Sequence, residues 1–126
     1  MTKKEEKELL IKDLCARLPY GVKCVALLKQ LDGSLKSVSG KFKGYNCWAM
    51  VGTNMVDINT VVPYLRPMSS MTEEEENEYK DTCVKINGLN SETSLTFDWL
   101  NAHHFDYRDL IEKGLALEAP EGMYKF

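Results

Sequence analysis

Asp32-Gly33 stands between the runs VKCVALLK and LKSVSGKFK. An Asp-Gly step flanked by strand-type residues folds the chain back on itself as a β-hairpin. In the second run Val38, Gly40 and Phe42 point one way, and Ser37, Ser39, Lys41 and Lys43 the other. The first run is apolar enough for a strand buried largely on both faces. Cys47 to Val51 forms a third apolar run, and Gly52-Thr53-Asn54 turns the chain into Met55 to Ile58. Four short strands this close together call for a strongly bent antiparallel meander or a small barrel. Asn59 to Val62 then fits one tight helical turn, and the prolines of Pro63-Tyr64-Leu65-Arg66-Pro67 confine that segment to an edge strand or an extended exit. Strands, a single turn and a last short strand follow the order of an SH3-like barrel.

Helical patterns flank this sheet. Thr2 and Glu5 have capping-box spacing, and Leu10, Ile11, Leu14, Cys15 and Leu18 make an apolar stripe that Pro19 ends, which predicts an amphipathic helix over 3–18. Thr72 and Glu75 repeat the capping box ahead of a helix from 73 to about 84, with Tyr79 and Cys83 facing inward and the acids in water. The polar stretch KINGLNSETS at 85–94 reads as a mobile loop. In DWLNAHHFDYRDLIEKGLALEAP at 98–120, Trp99 and Leu100, Phe105 and Tyr107, then Leu110 and Ile111 recur at helical steps with a break near Asp106. Two short helices are expected there, with Asp106 as the N-cap of the second and Lys113-Gly114 closing it. The whole is one α+β domain over 1–126: an N-terminal helix, a curled antiparallel sheet or small SH3-like barrel at about 21–67, and C-terminal helices at about 72–114. Leu14, Leu18, Trp99, Leu110 and Ile111 are the expected core.

Composition bounds the function classes. With 126 residues, 44% of them hydrophobic and 28% charged, the chain has material for a single core. No run nears the 18 or so apolar residues of a membrane span, and MTKKEEKELL places charge where a signal peptide needs apolar residues, so a cytoplasmic setting without membrane contact is expected. Cys15, Cys24, Cys47 and Cys83 lack any C-x-x-C pair, which points to free, mostly buried thiols. The net charge of −3 is uneven: residues 20–67 hold six cations against two anions, and the remainder ten against seventeen. A basic segment in an acidic chain fits either a patch for polyanions or lysines that guard the solvent face of a sheet.

His103, His104 and Asp106 carry metal-ligand side chains, but adjacent histidines on a helix point about 100° apart and do not chelate one ion. No metal and no cofactor is therefore expected. Ser69 and Ser70 lack a nucleophile elbow, and no glycine-rich phosphate loop is present, so no catalytic residues are assigned. The candidate interaction surface is Lys41, Lys43, Tyr45, Trp48, Tyr64 and Arg66. Aromatics beside lysines suit base stacking with phosphate contact. An exposed Trp48, Tyr64 or Tyr107 equally suits a protein partner.

Three blocks, LCARLPYGVK at 14–23, PYLRPMSSMTEEE at 63–75 and WLNAHHFDYRDLIEKGLALEAPEGMY at 99–124, resemble a family of short uncharacterised proteins from gut-bacterial phages and prophage-type elements; together they cover roughly 40% of the chain. The resemblance implies a phage or mobile-element accessory protein working inside a bacterial cell, and it implies no catalytic set. The function expected is thus a non-catalytic, host-directed protein-interaction module whose partner is a protein of the host or phage. A single-stranded nucleic-acid-binding module is the alternative, and a metal-dependent hydrolase a more distant one.

Overall fold

The computed structural model describes residues 2–45 and 49–124; Cys47 and Trp48 lie outside the described residues. Helix α1 (Lys3–Ala16) and helix α2 (Glu73–Thr82) start at the capping boxes of Thr2 with Glu5 and Thr72 with Glu75. Helix α3 (Ser94–Ala102) starts at a third, in which Thr93 and Thr96 exchange side-chain and backbone hydrogen bonds. Each box satisfies N–H groups that the first helical turn leaves open.

The Asp-Gly hairpin forms between β1 (Lys23–Lys29) and β2 (Leu35–Tyr45), in register from Lys23 opposite Lys41 to Lys29 opposite Leu35. β2 continues into β3 (Ala49–Val51) and β4 (Asn54–Val56), and a 3-10 turn at Ile58–Thr60 leads into β5 (Val62–Pro67). After the helices come β8 (Phe105–Asp106) and β9 (Leu117–Glu118). The order is β4-β3-β2-β1-β5-β8, with β9 also on β5. β2 bends where its register with β3 shifts between Phe42 and Gly44. Gly40 permits the curl: a Cβ there would sit 3.2 Å from the Gly52 backbone. The bend carries β4 back against β1, yet no ladder joins the two among the described residues, so the sheet stays open.

The structure corrects four expectations about the strands and the C-terminal segment. The sheet is mixed rather than antiparallel, because β5 runs parallel to both β8 and β9; the long helical crossover between β5 and β8 makes parallel pairing possible. β5 is also an inner strand and not an edge. Its prolines are tolerated because its ladders are two residues long, and Pro63 and Pro67 each fall at a ladder end. The stretch 85–94 is not a loop: β6 (Val84–Ile86) and β7 (Leu89–Ser91) pair as a separate hairpin, and α3 begins by Ser94. Among the described residues, only one α-helix forms past residue 90. Asp106 does cap, its two carboxylate oxygens accepting from Leu110 N and Ile111 N at 2.9 Å each. Asp109, however, sits at φ 58, and that left-handed residue limits the segment to one turn closed by Lys113 N on Asp109 O.

The core lies between α1 and the inner face of the sheet: Leu10 and Leu14 meet Val22, Cys24, Ala26, Phe42, Val51, Val56, Leu65 and Leu110, all buried. Ile111 packs against it half-covered. Leu18, expected in the core, is 40% exposed, and Cys15 is exposed as well. The buried face of the segment is Leu10, Asp13, Leu14 and Arg17, and the α-helix stops at Ala16, so Leu18 in the Leu18–Tyr20 3-10 turn faces out. Trp99 is half-buried, in stacked contact with His103 at 4.3 Å and Phe105 at 5.6 Å, with its indole N–H on Glu78 at 3.3 Å. In urea denaturation Leu14→Ala is expected to cost about 2 to 5 kcal/mol. Leu18→Ala should cost less than about 1 kcal/mol. Equal losses would mean that Leu18 packs as the apolar stripe of the sequence predicts.

Candidate functional site

The open end of the sheet leaves an apolar cleft of about 420 Å³ between β1 and β4. Leu27, Leu28 and Leu35 line one side and Met55 and Val56 the other, with Lys29, Asp57 and Thr60 supplying the polar rim. The cleft follows from strand lengths. β5 accompanies β1 only at Cys24 and Val25, so beyond that point, among the described residues, no strand is hydrogen-bonded to β1 on this flank. The 3-10 turn partly takes its place: Leu27 N donates to Thr60 Oγ1 at 3.2 Å, and the Thr60 hydroxyl donates to Asp57 O at 2.8 Å. Asp57 in turn caps that turn by accepting from Asn59 N. A volume of this size, apolar with a few polar groups, falls in the range of small-molecule and side-chain pockets.

The hairpin tip beside the cleft is fixed. Asp32 Oδ1 accepts from Ser34 N at 2.9 Å and from the Ser34 hydroxyl at 2.6 Å, and Gln30 and Ser34 close the backbone turn. Those bonds hold the Asp32 carboxyl below the usual carboxylate range. Leu31 is thereby held fully in solvent, and Leu35 and Met55 are more than half exposed. Sequence reasoning missed this site. Its only signal was leucine at 27, 28, 31 and 35 crowded around a turn, more apolar surface than a hairpin end needs.

The residues expected as an interaction surface are divided among separate places. Lys41, Lys43 and Tyr45 are exposed along β2, but the register shift between Phe42 and Gly44 sets Tyr45 opposite the buried Ala49. Lys23, opposite Lys41, gives its ammonium to Met123 O at 2.9 Å, and Lys36 lies in the other alternation. Tyr64 is half-buried, and its carbonyl accepts from Tyr124 Oη at 2.7 Å. Arg66 is engaged inside the fold: its guanidinium holds Glu75 through two hydrogen bonds, 2.8 and 2.7 Å, over the Phe105 ring at 4.2 Å. That pairing draws the Glu75 carboxyl below its ordinary range.

His103, His104 and Asp106 do not converge. His103 stacks on Trp99 with Nδ1 3.6 Å from Glu75, and desolvation lowers its pKa despite the carboxylate, so the contact is made by a neutral ring at neutral pH. His104 is buried at φ 61 and stacks on Tyr124 at 3.9 Å. Asp106 is spent on Leu110 and Ile111. No three His, Cys, Asp or Glu side chains are grouped to hold a metal ion among the described residues. Burial also pushes the Cys24 thiol and the Tyr124 phenol up to about 12. Among the described residues no helix is long and apolar enough to cross a membrane. No protein-family model, curated protein or solved structure matches the chain.

Burial, followed by the positive charge of Arg17, brings the His104 pKa from 6.5 down to about 3. The unfolded chain therefore takes up a proton through a window in which the folded chain does not, and stability falls as pH drops through it. The slope from His104 approaches about 1.4 kcal/mol per pH unit. Between pH 7 and 5, where carboxylates remain ionised, urea midpoints should fall. His104→Asn, which tolerates the left-handed backbone, should flatten that fall; an unchanged slope would contradict the assignment.

Proposed function

We propose that the chain is a non-catalytic protein-interaction module whose binding site is the apolar cleft at the open end of the sheet. The observation that carries this reading is the combination of Leu27, Leu28, Leu35 and Met55 around one concavity with a rigid turn presenting Leu31 beside it. A monomer gains nothing by fixing a leucine in water, whereas a partner side chain seated in the cleft would desolvate it together with that rim. The strand order with a single 3-10 turn before β5 supports reading the sheet as an SH3-like barrel left open, with the cleft at its mouth. On the resemblance of its three sequence blocks we further propose a phage-derived accessory role in the bacterial cytoplasm, with a host or phage protein as partner.

The nucleic-acid reading keeps one observation in its favour, the exposure of Lys41, Lys43 and Tyr45 along β2. Its strength is limited by the overall negative charge of −3.

Both readings are tested with the intact chain immobilised against bacterial lysate with and without nuclease. A protein should be retained, and Leu35→Glu with Met55→Glu should release it. Retention that vanishes with nuclease, or that ignores the paired substitution, would overturn the cleft as the site. Short single-stranded DNA and RNA should bind no tighter than about 10 micromolar at physiological salt. Sub-micromolar binding lost in Lys41→Glu would put nucleic acid first.

A further inference from the structure

The β6–β7 hairpin is a separate two-stranded sheet with its own inside and outside. Its turn is Asn87-Gly88, both at positive φ (52 and 79), the backbone that a tight two-residue hairpin needs. The register pairs Val84 with Ser91, Lys85 with Asn90 and Ile86 with Leu89. Directly opposed residues share a face, so Val84, Ile86 and Leu89 lie on one side and Lys85 with Asn90 on the other. The apolar side is uncovered: Val84 is 52% exposed, Ile86 55% and Leu89 74%. The base of the hairpin is nevertheless fastened to the body, because Thr82 O accepts from both the Thr93 and Thr96 hydroxyls, at 3.2 and 3.0 Å. A firmly rooted two-stranded sheet with a bare apolar face is half of a structure. Such a hairpin gains stability when a helix or a further strand covers it.

The surrounding charge selects the cover. From Thr72 to Ala102, the segment that carries the hairpin, the sequence holds eight acids against two lysines. Arg66 neutralises Glu75, but Glu73, Glu74, Glu76, Glu78 and Asp81 remain exposed on α2. A second copy of the chain meeting this face by two-fold symmetry would bring the same negative field against itself. Nucleic acid and an anionic membrane carry the same wrong sign. We infer that the Val84–Ile86–Leu89 face docks a basic amphipathic helix of a partner protein, its apolar stripe on the hairpin and its lysines or arginines toward the α2 acids.

This surface uses other elements than the cleft, so the two stand or fall separately. The probe is a helical peptide of about 15 residues with a leucine stripe and lysines elsewhere, and a counterpart carrying glutamate in place of lysine. Titrated into the isotope-labelled full chain, the lysine peptide should shift amide resonances over 84–91, weaken as salt rises, and lose at least tenfold in affinity to the folded variant Ile86→Asp with Leu89→Asp. The glutamate peptide should leave the resonances in place, and Leu35→Glu with Met55→Glu should bind the lysine peptide as the parent does. Equal binding of both peptides, or affinity unchanged by the hairpin substitutions, would overturn the proposal. So would sedimentation showing a dimer that those substitutions dissolve, since the face would then belong to a second copy.

Discussion

The Asp13 carboxylate joins the two ends of this chain. It lies buried at the inner face of α1 and takes Arg17 Nε at 2.9 Å and Nη2 at 3.1 Å, while Arg108 Nη1 reaches its Oδ1 at 2.8 Å. Arg17 passes the connection on by donating to Phe105 O at 2.6 Å, eighty-eight residues away. Both guanidinium groups lie by the Tyr107 ring, and Tyr107 Oη holds Asn101 at the end of α3. One carboxylate thus fixes α1 to β8 and the turn after it. β8 in turn lies along β5, whose Arg66 holds Glu75 of α2. Loss of the carboxylate would leave a buried guanidinium without its counter-charge, which costs far more than an exposed ion pair contributes.

That connection explains why the sheet remains open. β5 is drawn across to β8 and β9, and it leaves β1 after two residues. The far half of β1 then donates a hydrogen bond to Thr60 on that flank, and β4 curls toward it without a ladder between the two among the described residues. The cleft is the gap so produced. The interaction that closes the C-terminal half of the molecule therefore also exposes Leu27, Leu28 and Leu35 in the other half.

What could be read from the residues was what depends on local chemistry. The Thr2 and Thr72 capping boxes, the Asp32-Gly33 turn and the outward alternation of Lys41 and Lys43 each involve groups within a few positions, and each stands as expected. Where distant partners decide, pattern misled. Leu18 continues the Leu10–Leu14 spacing, but Arg17 takes the buried position because Phe105 O and Asp13 are there to receive it. Pro63 and Pro67 signalled an edge, since short ladders that each end on a proline, one antiparallel to β1 and one parallel to β8, cannot be foreseen without knowing where β8 comes to lie. Asn87-Gly88 was a hairpin signal that the polar residues around it obscured. The cleft residues were visible only as apolar strand, because the missing stretch of β5 that exposes them is a property of the assembled sheet.

The buried Asp13–Arg17 pair acts as one unit that holds the chain ends together. A double-mutant cycle with Asp13→Ala and Arg17→Met, read by urea denaturation, tests it most directly. Asp13→Ala alone should cost about 3 to 5 kcal/mol, since it strands a buried charge. The double variant should recover much of that loss, because a thioether among apolar neighbours needs no counter-ion, giving a coupling of about 2 kcal/mol or more. Additive losses, with no recovery in the double variant, would contradict the account.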